Sequence, residues 1–300
     1  MDQYIDHMER KLLVIVNARS AGRLASRVRR IASVQLRRAG IEHEVVVTRR
    51  IRTLRSHVRH AAERGFTEIV CAGGDGTISL VARYHRDRRI PVSVIPAGTG
   101  NILAKHFGIP LLLRPAIRVI VESESTVALD AIERDDGLSL LNLSVGLSSL
   151  TMSDVDTRVK RVFGTATYVA GVLLYLVRRN PARFTITADG VTRRFRAREV
   201  LIANAGFRRT AIETFFMESD PDDGVLECSV FLASGLRGMI AMVADVLQHA
   251  TRRENRYLVR IPVRESIRIE SDPPLPVQAD GDPVAFGTVE VRVRRQALLV

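Results

Sequence analysis

The chain has 300 residues, 46% of them hydrophobic and 26% charged, with a formal net charge of +12. That balance excludes a disordered chain and allows one large domain or two of ordinary size. The charge is almost wholly arginine, since Lys11, Lys105 and Lys160 are the only lysines, and such a field suits a polyanion: nucleotide phosphates, nucleic acid or an anionic membrane surface.

In chain order, Leu12 to Val16 reads as a buried strand and Ala21 to Ala39 as a helix closed by Gly40. Val45 to Val47 is a second strand, Thr53 to Arg64 a helix closed by Gly65, and Ile69 to Ala72 a third strand. A helix from Thr77, a fourth strand over Ile90 to Ile95 and a helix from about Asn101 follow. Apolar strands separated by helices predict a parallel sheet covered on both faces, with ligands outside the strands' carboxyl ends. After about Asp135 the pattern becomes alternating. Strands are expected over Leu138–Leu143, Arg183–Ala188, Val191–Ala203, Val225–Leu232, Tyr257–Val263, Ser266–Glu270 and Val289–Val293, with helices over Arg161–Arg179 and Leu236–Arg252. This is a second, mostly antiparallel β domain. The polar N-terminus does not read as a secretory signal, and the most apolar run, Tyr168–Val177, falls short of the ~20 residues that span a bilayer. Cys71 and Cys228 form neither a disulfide framework nor a zinc spacing, which fits a reducing compartment.

Three turns carry the chemistry. Gly73-Gly74-Asp75-Gly76-Thr77 joins a strand to a helix, where glycines let backbone N–H groups approach an anion and the helix start adds its own unpaired donors. A carboxylate beside phosphate makes sense if it holds a cation or accepts a proton; the plainer reading of Asp75 is a helix cap. Asn17-Ala18-Arg19-Ser20-Ala21-Gly22 follows the first strand, and Pro96-Ala97-Gly98-Thr99-Gly100-Asn101 the fourth. All three fall at carboxyl ends of one sheet and converge on one crevice. The spacing matches neither the dinucleotide fingerprint nor a P-loop, so backbone amides and arginine are expected to hold the phosphate.

These residues resemble the soluble diacylglycerol kinase catalytic family, which includes sphingosine and ceramide kinases and bacterial lipid kinases. The match spans nearly the whole chain: Gly73–Thr77, Gly98–Asn101, Asn17 and Gly22, Thr48, Leu141–Gly146, Asp223–Leu226 and Asp280-Gly281-Asp282. The resemblance implies an α/β nucleotide domain over residues 1–134, completed by 287–300, and a β-sandwich lipid domain over 135–286. It implies ATP and Mg²⁺ as cofactors, with Asn17, Ser20, Thr48, Gly73, Gly74, Asp75, Gly76, Thr77, Gly98, Thr99 and Asn101 around the nucleotide. Asp282 stands where the family has a glutamate general base, with Asp280 as its competitor. Asp220, Asp223 and the Val225 carbonyl resemble a structural magnesium site, although solvated turn residues would look the same.

The expected activity is transfer of the γ-phosphate to diacylglycerol by a cytoplasmic, peripherally membrane-bound enzyme, with no nucleic-acid partner and a homodimer left open. Ile102, where many diacylglycerol kinases have aspartate, leaves room for a sphingosine- or ceramide-type kinase. NAD kinase shares the Gly-Gly-Asp-Gly-Thr turn but usually carries Asn-Glu where Asn101-Ile102 stands. A kinase-like protein that binds without catalysis is the third rival. Asp130 matches a family aspartate or is a strand-end charge; His57 and His60 read as a solvated helix face, and Arg193, Arg194, Arg196 and Arg198 as a solvated basic surface.

Overall fold

The computed structural model describes residues 3–4, 10–85, 90–123, 125–146, 181–205, 219–232, 238 and 257–300. In chain order the first elements are β1 (Gln3–Tyr4), β2 (Lys11–Asn17), α1 (Ala18–Ala21), α2 (Ala25–Arg38), β3 (Glu42–Thr48), α3 (Ile51–Arg59), β4 (Glu68–Gly73), α4 (Asp75–Tyr84), β5 (Val92–Pro96), α5 (Ile102–His106) and α6 (Leu113–Glu122). Four of these strands form a parallel sheet in the order β3-β2-β4-β5. The apolar run of β2 serves two cores at once, because successive side chains point to opposite faces. Leu12, Val14 and Val16 pack with Val28, Leu36, Ile117 and Ile120 of α2 and α6. Leu13 and Ile15 pack with Leu54, Val58, Ile78 and Val81 of α3 and α4.

The remaining strands are β6 (Ser125–Thr126), β7 (Ala128–Arg134), β8 (Gly137–Ser139), β9 (Asn142–Val145), β10 (Ala182–Ala188), β11 (Val191–Ala197), β12 (Glu199–Ala203), β13 (Leu226–Phe231), β14 (Leu258–Val263), β15 (Ser266–Asp272), β16 (Pro276–Ala279), β17 (Asp282–Phe286) and β18 (Thr288–Leu299). β1 pairs with β6. Two antiparallel six-stranded sheets, ordered β11-β10-β15-β18-β7-β8 and β14-β13-β12-β9-β16-β17, make a sandwich. Its core interleaves Phe184, Ile186 and Ile269 of one sheet with Val200, Ile202 and Cys228 of the other. The fold is therefore an α/β domain with a parallel sheet plus an antiparallel β-sandwich domain. Along the β7–β18 pair the sandwich joins the first core: Leu129, Ala131, Ala297 and Leu298 cluster with Ile69 and Ile78, and Val300 exchanges two backbone hydrogen bonds with Val127.

Several expected elements change shape. The helix from Ala21 begins earlier, at Ala18, and breaks at Gly22, whose φ of +52° interrupts helical geometry before α2. The third helix stops at Arg59, and turns carry the chain to Gly65. The run Val191–Ala203 is two strands in different sheets that change over at Arg198, and Leu138–Leu143 likewise divides at Leu140-Leu141. Arg198 is buried at that corner, so it leaves the expected basic surface, and burial lowers its pKa. The strands β7, β16 and β17 and the helix α6 were not expected. The expected helices Arg161–Arg179 and Leu236–Arg252 lie outside the described residues.

Candidate functional site

β4 runs into Gly73 and Gly74, and α4 begins at Asp75. A Cβ on Gly73 would lie 2.5 Å from Thr77 Oγ1, and one on Gly98 2.4 Å from the Gly74 Cα. The two glycine turns therefore pack backbone against backbone, at a separation no side chain permits. The Ala97 amide donates to the Gly73 carbonyl at 2.8 Å, continuing the β4–β5 pairing into the turns. Gly76 is different. A Cβ there would meet nothing within 4 Å, so the protein itself does not demand a glycine at this exposed position.

Thr77 joins the first turn to the second. Its buried hydroxyl lies 3.0 Å from Ser20 Oγ and accepts from Asn17 Nδ2 at 3.0 Å, while Asn17 Oδ1 caps α1 through the Arg19 amide at 3.0 Å. In the third turn Asn101 adopts left-handed geometry, and its side chain accepts from Gly98 N at 3.0 Å and donates to Gly98 O at 2.9 Å. Thr99 is exposed beside it. Asp75 links this turn to the second, since its Oδ1 accepts from Leu103 N at 3.3 Å in the first turn of α5. Burial raises the Asp75 pKa, against backbone amides at Leu103 and Ile102 that favour the charge. The carboxylate thus does cap a helix, but α5 rather than its own. Ile102 packs onto the apolar core, which accounts for an apolar side chain there.

Thr48 ends β3, where its hydroxyl accepts from Arg50 N at 3.0 Å. With Gly22 it borders an open groove of about 840 Å³ lined also by Arg23, Arg29, Arg30 and Arg49. No ion pair neutralises these four arginines among the described residues. The donor set at this end of the sheet is therefore cationic side chains, hydroxyls and glycine backbone, with Asp75 as the acidic member. That chemistry fits a polyphosphate and a hard, oxygen-seeking cation.

The sandwich contributes a second group. Asp280, at φ +50°, accepts from Leu140 N at 2.9 Å, Leu141 N at 3.0 Å and Asn142 N at 3.1 Å. Burial raises its pKa in spite of these amides; Ser79 on α4 also favours the charge, although its hydroxyl does not meet strict hydrogen-bond geometry. The Asp280–Asp282 turn thereby lies against α4. Asp282 opens β17 and is exposed.

Asp220 lies 3.5 Å from His106 Nε2 at the end of α5, and Asp223 Oδ1 accepts from Val225 N at 2.9 Å. Among the described residues no three His, Cys, Asp or Glu side chains gather to hold a metal ion. His57 on α3 and His60 at its end have local partners: His60 Nδ1 meets Ser56 O at 2.7 Å and His57 Nδ1 meets Arg64 at 3.0 Å.

The residue that reading by sequence undervalued is Asp130. It is 3% exposed, and its two oxygens accept from Gly224 N at 2.6 Å and Gln296 N at 2.8 Å. Its own amide donates to Pro221 O at 2.6 Å, and Asn204 Nδ2 donates to its carbonyl at 2.8 Å. One acidic residue at the centre of the apolar stretch Ala128-Leu129-Asp130-Ala131-Ile132 was the available signal.

A two-domain architecture of this kind has relatives. The diacylglycerol kinase catalytic domain matches residues 11–132, and the YegS C-terminal NAD kinase β-sandwich-like domain matches residues 142–300. The chain belongs to this lipid kinase family, in its two-domain form. It is 26% identical over 294 residues to a probable lipid kinase YegS-like of Pseudomonas aeruginosa, covering 97% of this chain and 93% of that protein. It is 25% identical over 279 residues to a diacylglycerol kinase of Mycobacterium tuberculosis, covering 91% and 88%. A Synechocystis protein, sll0036, is 25% identical over 85% of this chain, which spans 60% of that relative's length. A crystal structure of a diacylglycerol kinase from Bacillus anthracis shares the fold with a TM-score of 0.78 at 18% identity, covering 98% of this chain and 97% of that one.

Proposed function

We propose that the protein is an ATP- and Mg²⁺-dependent lipid kinase that phosphorylates diacylglycerol to phosphatidic acid at a membrane surface, from the cytoplasmic side. The observation that carries this reading is the convergence of three sequence-distant turns, the first joined to the second through Thr77 and the third through Asp75 and the Gly74–Gly98 approach, with Gly76 left open beside them. The division of labour follows the two domains. Residues 1–134, with 287–300 returning to them, hold the nucleotide, and residues 135–286 hold the lipid, with β7 and β18 shared because both are built into the sandwich sheet. Packing of Ala297 and Leu298 into the first core supports that division.

When bound, ATP supplies the phosphoryl group and Mg²⁺ neutralises its charge. The protein's part is positioning. Gly73, Gly74, Gly76, Gly98 and Thr99 offer close backbone approach to phosphate, and Asn17, Ser20, Thr48, Thr77 and Asn101 hold the turns in place and face the nucleotide. Asp75, whose Oδ1 accepts from Leu103 N, would hold the cation. Asp282 accepts the proton of the lipid hydroxyl. Asp280, with three amides on its carboxylate, is better placed to set the geometry of the turn than to take a proton. Asp220, Asp223 and the Val225 carbonyl remain the candidate structural Mg²⁺ site.

γ-Labelled ATP with Mg²⁺ and a panel of diacylglycerol, sphingosine, ceramide and NAD tests the reading. Label in phosphatidic acid is expected, with activity rising on anionic vesicles and fading with salt. Label on NAD or on a sphingoid base would reassign the substrate, and no transfer to any acceptor would leave a binding protein.

A further inference from the structure

Between α5 and α6 the chain runs Gly108-Ile109-Pro110-Leu111-Leu112. Leu112 is 72% exposed and Leu111 48%. Their exposure is imposed from both sides. Gly108 takes φ +67° to end α5, Ile109 N donates to Ala104 O at 2.8 Å, and the Ile109 side chain packs on the core that holds α3 and α4. Leu113, on the other side, packs on the core that holds α2. The two leucines are stretched between cores and cannot fold back into either.

The exposed side of α6 continues the pattern. Leu112, Pro115 and Val119 (41% exposed) follow at helical spacing, so they share one solvent-facing stripe. Arg114 and Arg118 flank that stripe and are exposed. Arg114's side chain has no acidic partner among the described residues, and Arg118 makes only a loose 4.0 Å contact with Glu122 on the solvent side. Contiguous exposed leucines beside unneutralised arginines are the composition of a segment that lies in an anionic interface, apolar groups in the acyl boundary and guanidinium groups at the phosphates.

We propose that this loop and the adjoining face of α6 dock the protein on an anionic bilayer, with Leu111 and Leu112 inserting and Arg114 and Arg118 binding headgroups. The inference rests on the lipid-kinase reading only for the choice of a bilayer as occupant. Among the described residues no helix is long and apolar enough to cross a membrane. The loop also leaves the end of α5, the short helix whose first turn donates to Asp75.

Flotation of the full chain with phosphatidylcholine vesicles, with and without phosphatidylglycerol, tests it without nucleotide or turnover. The parent protein is expected on the anionic vesicles. Leu111→Ser/Leu112→Ser should weaken binding by about tenfold or more, the loss expected from removing two leucines from an apolar phase. Leu112→Ser alone, at the most exposed position, should show a smaller loss in the same direction. Arg114→Gln/Arg118→Gln should lower recovery on anionic vesicles alone and reduce the salt dependence. Phosphoryl transfer to diacylglycerol dispersed in detergent should stay at the parent's level in all three variants, which separates loss of docking from failure of the kinase reading. Parent protein that floats with neither vesicle, or leucine variants that float as the parent does, would overturn the proposal. So would leucine variants that change oligomeric state while vesicle recovery holds, because the stripe would then join two copies of the chain.

Discussion

Asp75 and Asp280 are carboxylates that burial drives toward the neutral form and that backbone amides hold back, with different oxygens left over. Asp280 accepts from three amides at 2.9–3.1 Å, whereas the bond from Leu103 N to Asp75 is longer, at 3.3 Å. Asp75→Asn is expected to fold normally and lose phosphoryl transfer by about 10²–10³-fold or more, the usual loss when one positioned electrostatic contact is removed. Turnover within a few-fold of the parent would reduce Asp75 to a cap on α5. Its raised pKa also sets a direction with pH. If Asp75 holds Mg²⁺ as proposed, it must be ionised to do so, and Mg²⁺-dependent ATP affinity should fall as pH drops through the raised value, above the ordinary 3.8. For stability the sign reverses: between 3.8 and the folded pKa the folded state keeps a proton that the unfolded state has released, so stability is lost as pH rises through that window. Calorimetric ATP titrations and urea unfolding across acid pH should show both trends; Asp75→Asn should lose the first and weaken the second, which Asp280 sustains because burial raises its pKa in the same direction. For the base, Asp282→Ala should lower kcat roughly 10²–10⁴-fold with ATP affinity intact. Asp282→Glu should keep or raise activity, and Asp280→Ala should act through stability. A well-folded, inactive Asp280→Ala beside a nearly normal Asp282→Ala would exchange the two roles.

At the level of elements, the glycines of one motif do separate jobs. Gly74 and Gly98 let the turns after β4 and β5 touch, Gly73 leaves room for the Thr77 side chain, and Gly76 has free space around it. Gly98→Ala should destabilise the protein by about 1–3 kcal/mol, the cost of overpacking, because the obstacle at 2.4 Å is backbone rather than a movable side chain. Gly76→Ala should melt within a degree or two of the parent yet lose ATP affinity, because the new methyl group occupies space that only a ligand would use. Thermal unfolding and ATP titration on the two variants check this pair. If Gly76→Ala binds ATP normally, the phosphates lie elsewhere.

For the whole molecule, Asp130 ties three distant pieces together: the strand β7, the Pro221–Gly224 turn and the bulge of β18 at Gln296, which has φ +50°. β18 is the strand that returns the chain's end to the first core, so loosening it loosens the join between the domains. Asp130→Ala strands the buried Gly224 amide and the part-buried Gln296 amide and should cost about 2–6 kcal/mol of stability, at 1–3 kcal/mol for each unsatisfied group. The loss should appear in urea unfolding. A midpoint shift worth less than about 1 kcal/mol would mean that water or neighbouring groups replace the carboxylate.

The parallel sheet and its three turns were legible in the sequence because their signals are local. Unbroken apolar runs such as Leu12–Val16 announce strands buried on both faces, and glycines at their carboxyl ends announce close backbone approach. That reading also separated the α/β third from the alternating β remainder. It did not assign strands to sheets. Alternation tells which face a side chain takes, but the corners at Arg198 and Leu140-Leu141 depend on which sheet has room for the next strand. Nor did it reveal Asp130 and Asp280 as ties, because the amides they satisfy lie 94, 166 and 138 to 140 residues away. An acidic residue in an apolar strand states only that a partner must exist, since a buried carboxylate without one is too costly to keep. Which partner it finds is decided where the β18 and β16–β17 backbones arrive, and that is a property of the assembled sheets alone.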